Sequence, residues 1–204
     1  MVIVTIRSNI SEVVDGLSRA AQTQLPFAIA KALTMTAQDA QAAVVDKMHQ
    51  EFTLRTSWWQ KHTPWGIKVA PAKKHDNVAA VYTRAPWIVG FEAGEIRTPQ
   101  GTFFAVPTRY VRRTKRSLIA KSAKPTALLA PGGRGFFAQM SSGKRGIFQR
   151  VGRKRLPIRL MYHLITRAQI RAILGMEKTV RATAIRVFGK NFWAALEDAL
   201  RTMR

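Results

Sequence analysis

Between residues 26 and 52 the chain runs PFAIAKALTMTAQDAQAAVVDKMHQEF, with apolar residues at Ala30, Leu33, Ala37, Ala40, Val44, Met48 and Phe52. Steps that alternate between three and four trace one stripe of an α-helix, not one face of a strand. At about 1.5 Å per residue such a helix spans roughly 40 Å, the width of a small domain, so the rest of the chain has to pack along it. Pro26 is expected in its first turn, where backbone N–H groups have no intrahelical partner. The stripe holds more alanine than leucine, which predicts that another backbone, most naturally a sheet, comes close over it.

The remaining elements are read from their periodicity. Val2, Val4 and Ile6 alternate with Ile3, Thr5 and Arg7 as a short strand with one buried face. Ser8 or Asn9 is expected to cap a brief helix through Val13, Val14, Leu17 and Ala21 that ends before Pro26. Period-two alternation on both sides of KKHDN predicts a β-hairpin over 66–84, and APWIVGFEAG a bend or short turn of helix. GTFFAVPT, residues 101–108, is a strand closed by Pro107. Ile147, Gln149 and Val151, then Ile158, Leu160, Tyr162 and Leu164, give two more strands separated by Gly152 and the basic turn RKR. A closing helix carries Met176, Val180, Ala184, Val187, Phe188, Phe192, Ala195, Leu196, Ala199, Leu200 and Met203 on one stripe, with Gly189 as a weak point.

Together these predict an α+β fold: a five- or six-stranded antiparallel sheet packed against a long helix of the N-terminal half and a C-terminal amphipathic helix. Residues 1–108 and 144–204 are expected to form this single domain. Residues 109–143 differ in composition, with seven basic residues between Arg109 and Pro125 and glycine, serine and proline after them. Few large apolar residues lie among them, which predicts a basic arm or extended hairpin that orders only against a partner, with Phe136 and Phe137 anchoring its tip.

Charge narrows the function. Lys and Arg total 34 against 11 acids, a formal net charge of +23. Between Glu95 and Glu177 there is no acid at all, while that interval holds 18 Lys and Arg. A mixed-charge run is ordinarily a solvated face. Complete loss of acids over so long an interval points to nucleic acid or another polyanion. Trp58, Trp59 and Trp65 beside Arg55, Lys61 and His62 offer rings that stack on bases, or, in the plainer reading, cap a core or fill a subunit contact.

Enzymatic constellations are thin. His49, His62, His75 and His163 have no two-ligand metal spacing, and His49 near Asp46 is better explained by a surface hydrogen bond. The acids are scattered, with Glu92 and Glu95, and Glu197 and Asp198, as the close pairs. Neither a phosphate-binding GxxxxGK[ST] loop nor a GxSxG elbow is present. No enzyme, metal or cofactor is expected. Cysteine is absent, which excludes disulfides. No stretch approaches the ~18 apolar residues of a membrane span, and the amino-terminal segment lacks the basic-then-apolar pattern of a secretory signal. A soluble protein made in the cytoplasm is expected.

LPFAIAKALTMTAQDAQAAVVDKM, the following FTLRTSWW, the strand pair GIFQRVGRKRLPIRLMYHLI and the closing helix with Phe188, Phe192 and Leu196 resemble the minor tail protein Z group of long-tailed bacteriophages, also called tail-completion or neck proteins. The resemblance is strongest over 20–60 and 144–204 and does not extend to 109–143. It implies a structural virion protein of the neck, made in the host cytoplasm, that completes the tail and joins it to the head. It implies a homo-oligomeric, six-membered ring between the tail terminator or tail tube protein and the head–tail connector protein, with the end of the viral double-stranded DNA entering its channel. The lining of that channel would come from the acid-free region, with Arg109, Arg112, Arg113, Lys115, Arg116, Arg153, Lys154 and Arg155 as DNA-contact candidates. Subunit or partner contacts would fall to Trp58, Trp59, Trp65, Phe136 and Phe137. The alternative is a free nucleic-acid-binding protein without sequence specificity.

Overall fold

The computed structural model describes residues 1–7 and 19–201. The fold is α+β, with two long helices and antiparallel sheets. The chain divides into two compact units, Met1–Ala93 with Arg171–Arg204, and Gly94–Ile170. This division departs from the expected single domain carrying an inserted arm, because residues 109–143 belong to the second unit and contribute to its core.

In the first unit, helix α1 runs Arg19–Glu51. It begins at least seven residues ahead of Pro26, which therefore lies inside the helix instead of in its first turn. Residues 19–25, RAAQTQL, are mostly strong helix formers, and the helix tolerates a proline whose missing N–H costs one bond to the carbonyl of Gln22. The short helix expected through Val13, Val14 and Leu17 lies outside the described residues. The stripe behaves as its spacing requires: Leu33, Ala37, Ala40, Val44 and Met48 are fully buried. They pack against Ile67, Ala79 and Val81 from the sheet side. That sheet has the order β1 (Val2–Arg7), β3 (Val78–Thr83), β2 (Lys68–Ala70), and includes the hairpin expected over 66–84.

Helix α2, Met176–Arg201, lies antiparallel to α1. Alanine serves here for helix-to-helix approach: Ala28 and Ala32 meet Ala195 and Ala199, all with no exposed surface. Lys31 pairs with Asp198 beside this contact. Two buried polar residues interrupt the apolar stripe of α2, Thr183 and Asn191. The Asn191 side-chain amide donates to Thr36 Oγ1 at 3.2 Å and to Asp39 Oδ2 at 2.8 Å. Leu200, expected on the buried stripe, is half exposed. The amino end of α2 is capped from outside the helix: the Glu92 carboxylate accepts from the Met176 and Glu177 amides at 2.7 and 3.0 Å. An anion placed there satisfies two orphan donors and complements the helix dipole.

The second unit opens with β4 (Glu95–Arg97) and closes with β9 (Ala168–Ile170), which pair with each other. Between them stands a four-stranded antiparallel sheet in the order β5 (Phe104–Pro107), β8 (Ile158–Ile165), β7 (Arg145–Arg150), β6 (Gly135–Gln139). The described strands thus form three sheets in place of the expected single one. A bulge at Met161 of β8, opposite the step from Ile147 to Phe148, breaks the alternation of β8, and Met161 and Tyr162 are buried in succession. The core of this unit is small. Val111, Ala123 and Leu128 from the expected arm cover Ile147, Met161 and Tyr162 of the sheet. The Tyr162 hydroxyl donates to the Ala123 carbonyl at 2.7 Å and ties the covering segment to β8.

Candidate nucleic-acid interface

The second unit, residues 94–170, contains seventeen Lys and Arg and one acid, Glu95, so it carries sixteen of the 23 net positive charges. Glu95 is paired with Arg97. The other sixteen basic side chains therefore have no carboxylate within the unit to neutralise them, and each is exposed.

Local structure gathers these charges at turns. After β5 the chain folds into a small bridge of Arg113 with Ile119, closed by amide-to-carbonyl bonds from Thr114 to Leu118 and from Ser117 to Thr114. Lys115 and Arg116 occupy the tip, and Ser117 takes the left-handed conformation there (φ 58°). Arg113 reaches back to the Ser117 carbonyl at 3.2 Å. The β7–β8 turn presents Arg153, Lys154 and Arg155, all exposed. All eight DNA-contact candidates thus lie in one compact unit, in two turns and the segment leading into the first.

Several guanidinium groups rest on aromatic rings. Arg109 and Arg159 lie 5.0 and 5.7 Å from the centre of the Tyr110 ring, and Arg109 also donates to the Tyr110 hydroxyl at 2.9 Å. Arg145 lies 5.5 Å from Phe103, and Arg150 the same distance from Phe136. Stacking of this kind holds a long side chain in place while leaving its N–H edge available for phosphate oxygens. Arg145, Arg150 and Arg159 were not singled out by sequence reasoning. None of the three stands opposite an aromatic residue in the strand pairing, and Phe103 and Tyr110 lie outside the strands, so no local pattern marked them.

The aromatic candidates separate into two groups. Trp58 and Trp59 are partly buried against the first unit's core, Trp58 edge-on to Trp87 and Trp59 edge-on to His49 at 4.6 Å. Trp65 is 42 % exposed and also meets Trp87. Phe136 stacks on Phe148 within the four-stranded sheet, whereas Phe137, 64 % exposed, turns to the opposite face. Sequence reasoning did not flag Trp87, nor the exposed Ile185 and Trp193 of α2.

One buried phenol is perturbed. Burial raises the pKa of Tyr162 above its ordinary value of 10.0, an effect that the nearby positive charge of Arg113 partly opposes. Three of the four acids in the close pairs have structural partners: Glu92 caps α2, Glu95 pairs with Arg97, and Asp198 pairs with Lys31 and Arg201. Among the described residues no group of three or more His, Cys, Asp or Glu is placed to hold a metal ion. No described helix is long and apolar enough to cross a membrane. Comparison with protein-family models, characterised proteins and solved structures finds no match for the chain.

Proposed function

We propose that this protein is a structural component of the neck of a long-tailed bacteriophage, completing the tail and joining it to the head. In this reading it assembles as a homo-oligomeric ring whose basic unit contacts the end of the double-stranded genome without reading its sequence. The observation that carries the nucleic-acid part is the segregation of charge: one 77-residue unit holds seventeen basic residues and a single acid. So dense a field repels itself unless a polyanion or a neighbouring subunit offsets it. Most of its cations are exposed outside the strands, which suits contact with a phosphate backbone and not readout of base edges. The neck assignment rests on the resemblance of segments 20–60 and 144–204 to the tail-completion group.

Native mass spectrometry of the purified chain, together with duplex binding titrated against salt, tests the reading. A closed ring whose duplex affinity falls steeply between 50 and 200 mM salt, by about 10³ for six phosphate contacts, is the expected result. A monomer that keeps its affinity at the higher salt favours the free nucleic-acid-binding protein. A chain that neither assembles nor binds duplex overturns both.

A further inference from the structure

The β6–β7 ladder ends at the pair Gly135 and Gln149. One step beyond it come Arg134 and Arg150, and one step inside it Phe136 is paired with Phe148. Strand periodicity puts all four on the same face of the sheet. Phe136 and Phe148 stack with their centres 6.1 Å apart and planes 27° from parallel, and the Arg150 guanidinium lies over Phe136. The chain then turns through Gly152 to Arg153. Residues 133–136 on one side and 150–153 on the other line an open cleft.

Three arginines therefore line one cleft, none with a hydrogen bond or ion pair to another described residue. Like charges facing each other across a strand pair are destabilising. Nothing in the unit relieves them, since Glu95 is engaged with Arg97. A bound anion would. We propose that this cleft is a phosphate-binding site that seats a phosphodiester of a nucleic-acid backbone, with Arg150 held ready by the Phe136 ring. The site deepens the proposed function and rests on its nucleic-acid reading. Phe136 already has Phe148 and Arg150 as ring neighbours, so its part is to orient a guanidinium and not to stack a base. Arginine is required over lysine at 150, because a planar fork both stacks and binds two phosphate oxygens at once.

Gly152 supplies a probe that leaves packing alone, since a Cβ there meets nothing within 4 Å. The experiment uses the full chain, a labelled 20-bp duplex and fluorescence anisotropy at 100 mM NaCl, with circular dichroism confirming that each variant is folded. Arg150→Lys, which keeps the charge, should weaken duplex binding about fivefold to tenfold, whereas Arg167→Lys, at an exposed position between β8 and β9 and outside the contact candidates, should stay within about twofold. Gly152→Glu, which brings a carboxylate to the cleft, should weaken it about tenfold or more. In ³¹P NMR, inorganic phosphate alone should show at most weak broadening by the wild type, lost in both cleft variants. If the wild type binds duplex and both cleft variants bind equally well, the cleft is overturned and the diffuse charge reading stands. Saturable inorganic-phosphate binding without duplex binding makes free phosphate the ligand, which overturns the nucleic-acid source and the function it rests on. A wild type that binds neither overturns both.

Discussion

Replacing Tyr162 by Phe removes one oxygen atom and tests how the basic segment is held. Tyr162 is 1 % exposed, and its hydroxyl donates to the carbonyl of Ala123, itself 5 % exposed, across 39 residues of chain. Phe fills nearly the same volume, so no cavity term is added, but a buried carbonyl loses its donor. Loss of one partner of a buried hydrogen bond costs about 1–3 kcal/mol, and a carbonyl that retains a second lone pair belongs near the lower end. Tyr162→Phe should therefore destabilise the unit by about 1–1.5 kcal/mol at pH 7. The deficit should depend on pH in one direction. A folded-state pKa raised above 10.0 means that the proton is held more tightly in the folded form. That contribution is fully present below pH 10 and is lost as pH rises through the folded-state value, so the gap between wild type and variant narrows in strong alkali. All five tryptophans lie outside residues 94–170, so tryptophan emission does not report on this unit. Hydrogen exchange followed by mass spectrometry does. The segment from Arg109 to Leu128 should exchange faster in the variant, roughly fivefold to tenfold for the amides it protects. Duplex affinity should fall modestly while its dependence on salt is unchanged, because no charge is lost. Equal exchange at Ala123 and its neighbours in the two proteins at pH 7 would refute the reasoning.

Asn191→Ala should lower the stability of the helix pair by about 1–3 kcal/mol, since it removes the donor shared by Thr36 and Asp39 at a site only 5 % exposed. Urea unfolding followed by tryptophan emission measures it, and an unchanged midpoint shows that the two hydrogen bonds of Asn191 do not stabilise the helix pair. Asp198, held below its ordinary 3.8 first by hydrogen bonding from Lys31 and then from Arg201, contributes stability that is present above that value and lost as pH falls through the lower folded-state pKa. Asp198→Asn should flatten the acid limb of a stability profile and do little at pH 7, where an exposed pair contributes little.

The helices were legible because their information is local. Leu33, Ala37, Ala40, Val44 and Met48 are spaced to share a face wherever the helix goes, and all five are buried. What the spacing could not show was which alanines meet a sheet and which meet a helix. Ala28 and Ala32 are covered only because Ala195 and Ala199, more than 160 residues away, are equally small. The second unit was missed for the same reason in stronger form. Val111, Ala123 and Leu128 are sparse within their own segment, so composition alone predicts no core there. Their partners Ile147, Met161 and Tyr162 arrive from strands β7 and β8, and only pairing across the sheet makes the six a cluster. A hairpin signal was present at the β6–β7 turn, where the Met140 amide donates to Lys144 and Gly143 takes φ 78°. Reading the stretch as an arm or extended hairpin with its tip at Phe136 and Phe137 put the turn in the wrong place, since both lie within β6, and so missed the register that brings Arg134 beside Arg150.

The two properties of the second unit constrain each other. A core of six buried residues leaves little reserve against sixteen net charges, and even spreading of those charges would still leave the folded form repelling itself. Placing them on turns and over aromatic rings keeps them exposed, but concentrates the field at a few points. Any polyanion that occupies those points binds the folded form better than the unfolded one, and so stabilises it by mass action. Sequence preference would add nothing to that coupling, whereas the placement of Arg109, Arg150 and Arg159 on rings adds to it directly, by reducing the side-chain freedom lost when a phosphate is bound. The stacked arginines are therefore where affinity should concentrate, and the unstacked cations of the turn tips, Lys115, Arg116, Lys154 and Arg155, should act mainly through the long-range field that draws the polyanion in.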